Sequence, residues 1–290
     1  MKIITTWVRP KLNNLYFTYR KYLLKVCQKR TLSIKYISSI LFIAFLLSSC
    51  ALYHKSREEA KFKITSHDIL SMLQKKNNNM KTFKGIGKIE HRIKDKSRFY
   101  RAAWAGIEPE KLRVEILDIF GRSFVSLSNT GRSFYMLSRF NTDLIKSPLK
   151  DYNFNKLLSL PIKFSHLRLF LAGQIPIINH DFAVLEQANQ GDLILNLKRL
   201  WGQDIEKIYL HKDDLLAYKV ELFDMTGDLL YKAELSNNRK FKEYSIFQDM
   251  KFSDDSGTIF NLGIERYFVD VNISPSIFKL EKQNSKNSKN

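Results

Sequence analysis

Lys111-Leu112-Arg113-Val114-Glu115-Ile116 alternates charged and apolar residues at every step. A period of two belongs to a β-strand with one face buried and the other in water. Runs of the same kind start at Phe83 and cover 98–105, 123–128, 133–138, 193–197, 218–222, 229–235, 244–252, 258–266 and 267–273, about eleven strands in all. Asp224-Met225-Thr226-Gly227-Asp228 between two of them is a hairpin turn signal. Three helical segments interrupt the pattern. Thr65 or Ser66 caps the first, with Ile69, Met72 and Leu73 on one face, and the run Lys75-Lys76-Asn77-Asn78-Asn79 ends it. Asn153 to Leu160 is a second, stopped by Pro161. Ser165 caps a third, with Leu167, Phe170 and Leu171 clustered, ended by Gly173 and Pro176. Helix, about five strands, two helices and about six strands predict a mainly β fold: one curved antiparallel sheet with helices packed across it.

The 290 residues suit one large domain or two small ones, and 44% hydrophobic content supports a sizeable core. Two cysteines make neither a disulfide scaffold nor a four-ligand zinc site. The net charge of +19 is unevenly placed. The first 49 residues hold nine basic residues and no acid; the remainder carries 39 basic against 29 acidic, a net of +10. After that basic stretch come eight apolar residues, Ile40 to Leu47, and then Ser48-Ser49-Cys50. A basic region, a short apolar region and small residues read as an export signal. The competing reading, a signal anchor over Tyr36 to Leu52, is weakened by four serines within 17 residues.

Leu47-Ser48-Ser49-Cys50 resembles the bacterial lipobox. The resemblance implies cleavage before Cys50 and acylation of its sulfur and its new amine. Ala51 stands where enterobacterial lipoproteins kept in the inner membrane have Asp, and so favours the outer membrane by that resemblance. Several acyl chains hold a protein on a bilayer, whereas one binds only marginally. The expected organisation is a signal over 1–49, a lipidated tether over 50–64, a folded domain over 65–280 and a disordered tail over 281–290.

Motifs of catalysis are missing from the sequence. Six histidines are scattered, with no metal-ligand spacing. No phosphate loop, nucleophile elbow or HExxH occurs. Asp213-Asp214 and Asp254-Asp255 sit in turn contexts, and Gly85-Ile86-Gly87 reads as close backbone packing. The chain is therefore expected to be no enzyme, with no catalytic residue, metal or cofactor. Arg98-Phe99-Tyr100-Arg101 interleaves bases and aromatics, but export removes nucleic acid as a partner. A phospholipid or lipopolysaccharide head group is the better anionic partner.

The stretch 83–173 resembles the LolB family of outer-membrane lipoprotein receptors, relatives of the LolA carriers. The likeness rests on order: Gly85 and Gly87 in a strand, Arg98-Phe99-Tyr100-Arg101-Ala102-Ala103-Trp104, Lys111-Leu112-Arg113-Val114, Asp118-Ile119-Phe120-Gly121, two further strands, then Leu160-Pro161-Ile162 and Leu167-Arg168-Leu169-Phe170-Leu171-Ala172-Gly173. It implies an unclosed, strongly curved β-barrel with a helical lid over an apolar cavity for acyl chains. It also implies a loop, here Ile119, Phe120 and Gly121, that inserts lipoproteins into the membrane; the family's usual residue at Phe120 is Leu. Candidate cavity residues are Trp104, Leu112, Val114, Phe124, Leu127, Tyr135, Leu167, Phe170 and Leu171. Phe124 and Leu127 differ in parity, so one of them faces away unless a bulge intervenes. The same side chains would equally fill a core, and Phe120 would equally fold inward. The partners implied are acyl chains of lipoproteins or phospholipids, a periplasmic LolA-type carrier and the inner leaflet of the outer membrane, bound by a monomer. The alternatives are an assembly lipoprotein that binds an envelope protein, or an envelope hydrolase with dispersed residues.

Overall fold

The computed structural model describes residues 64–139, 144–148, 159–188 and 191–281. Cys50 with its signal and tether, the segment 151–158 and the tail from 282 lie outside the described residues. So does most of the expected helix over 153–160.

Helix α1 (Ser66–Lys75) begins as its sequence predicts. Thr65 accepts the Asp68 N–H, and the Asp68 carboxylate accepts the Thr65 N–H at 2.9 Å, a reciprocal cap. Its buried face carries Ile69 and Leu73. The first meander contains β1 (Thr82–Ile93), β2 (Lys96–Ile107), β3 (Lys111–Leu117), β4 (Ser123–Asn129), β5 (Ser133–Ser138) and β6 (Leu144–Pro148). After helix α2 (Phe164–Leu171) the second contains β7 (Phe182–Gln187), β8 (Leu193–Lys198), β9 (Asp204–Leu210), β10 (Ala217–Phe223), β11 (Leu229–Phe241), β12 (Tyr244–Ser253) and β13 (Thr258–Val269). A short 3-10 turn, Pro275–Phe278, follows.

The thirteen strands form one sheet in the order β6-β5-β4-β3-β2-β1-β13-β12-β11-β10-β9-β8-β7. Long β1 joins the meanders by pairing antiparallel with both β2 and β13. The edges β6 and β7 are not paired with each other, so the curled sheet is unclosed, as expected. The thirteen strands differ from the expected eleven by three additions, β6, β7 and β9, and one merger. β6 and β7 are short edge strands with little alternation. β9 turns Glu206 inward, which breaks the apolar pattern. The expected strands 258–266 and 267–273 are one strand, β13, with a bulge opposite Ile86 and Gly87. The bulge shifts the inward parity from Phe260, Leu262 and Ile264 to Tyr267 and Val269.

Helix α2 starts at Phe164, so its cap position falls two residues before the expected Ser165. Lys163 occupies the cap position without a side-chain hydrogen bond. Packing fixes this end instead, since Phe164 meets Phe134 edge to face with ring centroids 5.3 Å apart. The helix closes with Gln174 N–H donating to Leu169 C=O at 2.8 Å and Gly173 at φ +70°. A Cβ at Gly173 would lie 2.4 Å from the Ser245 carbonyl, so only glycine fits.

Candidate binding cavity

On the concave side of β1, β2, β3, β4 and β13, beside α2, lies a cavity of about 720 Å³. That volume falls in the range of small-molecule sites. Its walls are mostly apolar, and its mouth is bordered by Ile93, Lys94, Asp95, Lys96 and Arg98 at the β1–β2 turn. Strand parity sets the walls. β2 contributes Ala102 and Trp104, β3 contributes Val114 and Ile116, and α2 contributes Leu167 and Leu171, one helical turn apart. Trp104 lies against β1, where a Cβ on Gly85 would be 2.4 Å from its ring. Glycine there lets the indole sit flat on the strand, as expected for close packing. The Trp104 Nε1 has no hydrogen-bond partner among the described residues.

Phe124 and Leu127 both line the cavity despite their opposite parity. Ile116 pairs with Val125 and Leu117 with Ser123, which leaves Phe124 as the extra residue of a bulge. Its ring packs on Tyr100 with centroids 5.6 Å apart. Each buried wall residue shows only a few per cent of its surface to the cavity and is otherwise packed.

Six of the nine expected lining residues thus border the space, and three do not. Leu112 faces inward but is wholly enclosed, 0% exposed, beyond the cavity. Tyr135 lies on the opposite parity to the buried Phe134, under the Lys146 ammonium at 5.8 Å. Phe170 points from α2 into the other half of the core, edge to face on Phe252 at 5.2 Å. Sequence reading missed Ile89, Tyr100, Phe260 and Leu262, which β1, β2 and β13 add. Their alternation was visible, but not the pairing of β1 with β13 that brings the first and last strands together.

The β3–β4 turn carries Ile119, 94% exposed, and Phe120, 74% exposed, so Phe120 does not fold into the core. The Asp118 carboxylate accepts the N–H groups of Phe120 and Arg122, both at 2.9 Å, and these bonds hold it below the usual carboxylate range. Gly121 takes φ +78°. The Arg122 guanidinium lies 5.0 Å from the Phe120 ring centre. The turn is therefore a stiff support for two solvent-facing apolar side chains. Arg101 pairs with Leu117 across β2 and β3, which places this tip at the same end of the strands as the cavity mouth.

Among the described residues no group of three or more His, Cys, Asp or Glu could hold a metal, and no helix is long and apolar enough to cross a membrane. Buried polar chemistry lies away from the cavity. His166 Nδ1 and the Tyr231 hydroxyl share a 2.9 Å hydrogen bond, and burial lowers the His166 pKa to about 4. Burial pushes Glu206 up to about 8, although its Oε2 accepts the Ile178 N–H at 2.9 Å.

No family model and no curated protein matches the sequence. Solved structures do match in fold. A domain described as an outer membrane lipoprotein-sorting domain from Vibrio parahaemolyticus aligns with a TM-score of 0.56 at 13% identity, over 74% of this chain and 95% of that one. A LolA superfamily protein from Nitrosomonas europaea aligns at 0.54 and 15% identity, over 75% and 98%. A DUF1329 family protein from Desulfovibrio piger aligns at 0.54 and 10%, over 74% and 95%. The chain has a LolA/LolB-like fold.

Proposed function

We propose that this chain is a non-enzymatic lipoprotein that takes acyl chains into the cavity and helps receive or insert lipoproteins or lipids at the outer membrane. The observation that carries the reading is the cavity itself, about 720 Å³ of mostly apolar space with charged residues only around its mouth. Acyl chains need no directional partner along their length, and a polar head would rest at the mouth beside Lys94, Lys96 and Arg98. Cys50 anchors the chain in the inner leaflet, facing the periplasm. A LolA-type carrier delivers the client, and the exposed Phe120 tip enters the bilayer as the client leaves. The likeness in fold to a domain described as sorting lipoproteins supports this role.

Mass spectrometry of everything that co-purifies with the gently extracted protein tests the proposal. Stoichiometric phospholipid or acylated lipoprotein is expected, and Leu127→Trp, which narrows the cavity, should reduce it. One unacylated protein partner held equally by wild type and variant would overturn the reading in favour of an assembly role.

A further inference from the structure

The exposed apolar residues of this molecule are not evenly spread. Among the described residues, Ile93, Ile119, Phe120, Leu200, Trp201 and Met225 are large, exposed and in or beside hairpin turns. The register places all these turns at one end of the sheet. Ile93 pairs with Thr258, Lys232 with Ser253, Leu222 with Glu206, and Arg101 with Leu117. The turns at 94–95, 118–122, 199–203, 224–228 and 254–257 therefore share an end with the cavity mouth. No exposed large apolar residue lies in a described turn of the opposite end.

Trp201 is 96% exposed and Leu200 is 70% exposed, and their turn is fixed rather than loose. The Leu200 N–H donates to Asp181 Oδ2 at 3.0 Å, and Gly202 N–H donates to Arg199 C=O at 2.8 Å. Gln203 Nε2 donates to the Met225 carbonyl at 2.6 Å, which ties this tip to the neighbouring one. Exposing an indole, a leucine and a methionine on braced tips is costly in water. A tryptophan, apolar in body and polar at one edge, suits the boundary between lipid head groups and acyl chains.

We propose that the Leu200–Trp201 tip, with Met225 beside it, is a second bilayer-insertion point on the second meander. The molecule then rests on the membrane through two separated contacts, with the cavity mouth directed at the lipid. The proposal takes the membrane-facing end from the Phe120 tip in the function proposed above. Continuity with that tip and mouth argues for a bilayer over a protein groove, because the apolar groups sit on projecting turns. Charge adds little. Exposed Lys94, Lys96 and Arg98 favour anionic lipid, but Asp95, Asp228 and Asp255 share this end. Asp224 and Asp254 are turned onto their own turn amides, Asp224 Oδ1 accepting Thr226 N–H at 2.8 Å and Asp254 Oδ1 accepting Ser256 N–H at 3.0 Å. The contact is thus apolar and should survive added salt.

The chain has three tryptophans, and Trp201 can be replaced without disturbing the core. The difference in emission between wild type and Trp201→Phe isolates this one indole. Full chains are reconstituted into vesicles of phosphatidylethanolamine and phosphatidylglycerol with brominated acyl chains. The expected result is a blue-shifted Trp201 emission, quenched by the bromines and shielded from aqueous iodide, at low and high salt. Emission that stays red, open to iodide and blind to bromine would overturn the proposal. So would shielding from iodide that grows with protein concentration in the absence of bromine quenching, which would mark a protein interface. In either event lipid found in the cavity by mass spectrometry would leave the acyl-binding function standing.

Discussion

Glu206 is the residue most at odds with its surroundings. It is fully buried on β9, and its Oε1 has no hydrogen-bond partner among the described residues. Between its ordinary value of 4.5 and its folded value of about 8, the folded chain holds a proton that the unfolded chain has lost. Stability therefore falls as pH rises through that window, by about 1.4 kcal/mol per pH unit. His166 acts in the opposite direction. Its folded value of about 4 lies below the ordinary 6.5, so the unfolded chain binds the extra proton and stability rises with pH between the two. These two slopes cancel from about pH 4.5 to 6.5, and the Glu206 slope is no longer offset by His166 from there to about 8. Lys76, lowered by burial to about 8, adds its own slope only above that. Glu206→Gln should remove the decline between pH 6.5 and 8 and raise stability most at the alkaline limit. Urea midpoints measured across this range check it; parallel curves for wild type and variant would show that Glu206 is ionised at neutral pH after all.

Helix α2 is the element that divides the interior, and it is tied down along its length. Arg168 forms a salt bridge with Glu108 of the β2–β3 turn, both largely buried. The Tyr267 hydroxyl donates to the Leu171 carbonyl at 2.6 Å, and Asn77 Nδ2 donates to the Ala172 carbonyl at 2.9 Å. These ties make α2 a fixed wall, and the cavity opens at the β1–β2 turn rather than beneath the helix. Burial already pushes the Glu108 carboxyl up, against the pull of Arg168. Arg168→Ala should cost about 3–5 kcal/mol by leaving that carboxylate buried without its cation. Arg168→Ala/Glu108→Gln should recover much of the loss, as read from denaturation midpoints; an Arg168→Ala variant as stable as wild type would show the pair to be dispensable. The apolar face of α2 was legible in the sequence, because Leu167, Phe170 and Leu171 cluster at helical spacing. Which of them meets space and which meets side chains was not, because that depends on strands distant in the chain. The β-hairpins were legible wherever alternation was clean, as at Lys111 to Ile116. Bulges hid the rest: the extra residue at Phe124 and the parity shift in β13 are set by cross-strand register, which no local pattern records.

At the scale of the molecule, one sheet holds two unlike interiors. The half under β1–β4 keeps open space, while the half under β9–β12 is filled by Tyr231, Phe247, Phe252 and Phe170, none more than 1% exposed. A sheet that stays open on one side needs such a filled half, because burial there supplies stability that the cavity side gives up. The sequence carried this division only in outline, since apolar residues line a void and pack a core in the same alternation. Helix α2 allows the difference to be measured on one element. Phe170→Ala removes a ring packed against Phe252 and should cost about 3–5 kcal/mol, with lipid content unchanged in the protein that still folds. Leu167 already borders empty space, so Leu167→Ala deletes fewer contacts and should fall at or below the roughly 2 kcal/mol lower end for buried leucine. It should also widen the cavity and shift the bound acyl chains toward greater length or bulk. Equal destabilisation by the two substitutions, with the bound lipids unaltered by Leu167→Ala, would mean that the space beside α2 closes in solution and that both halves are core.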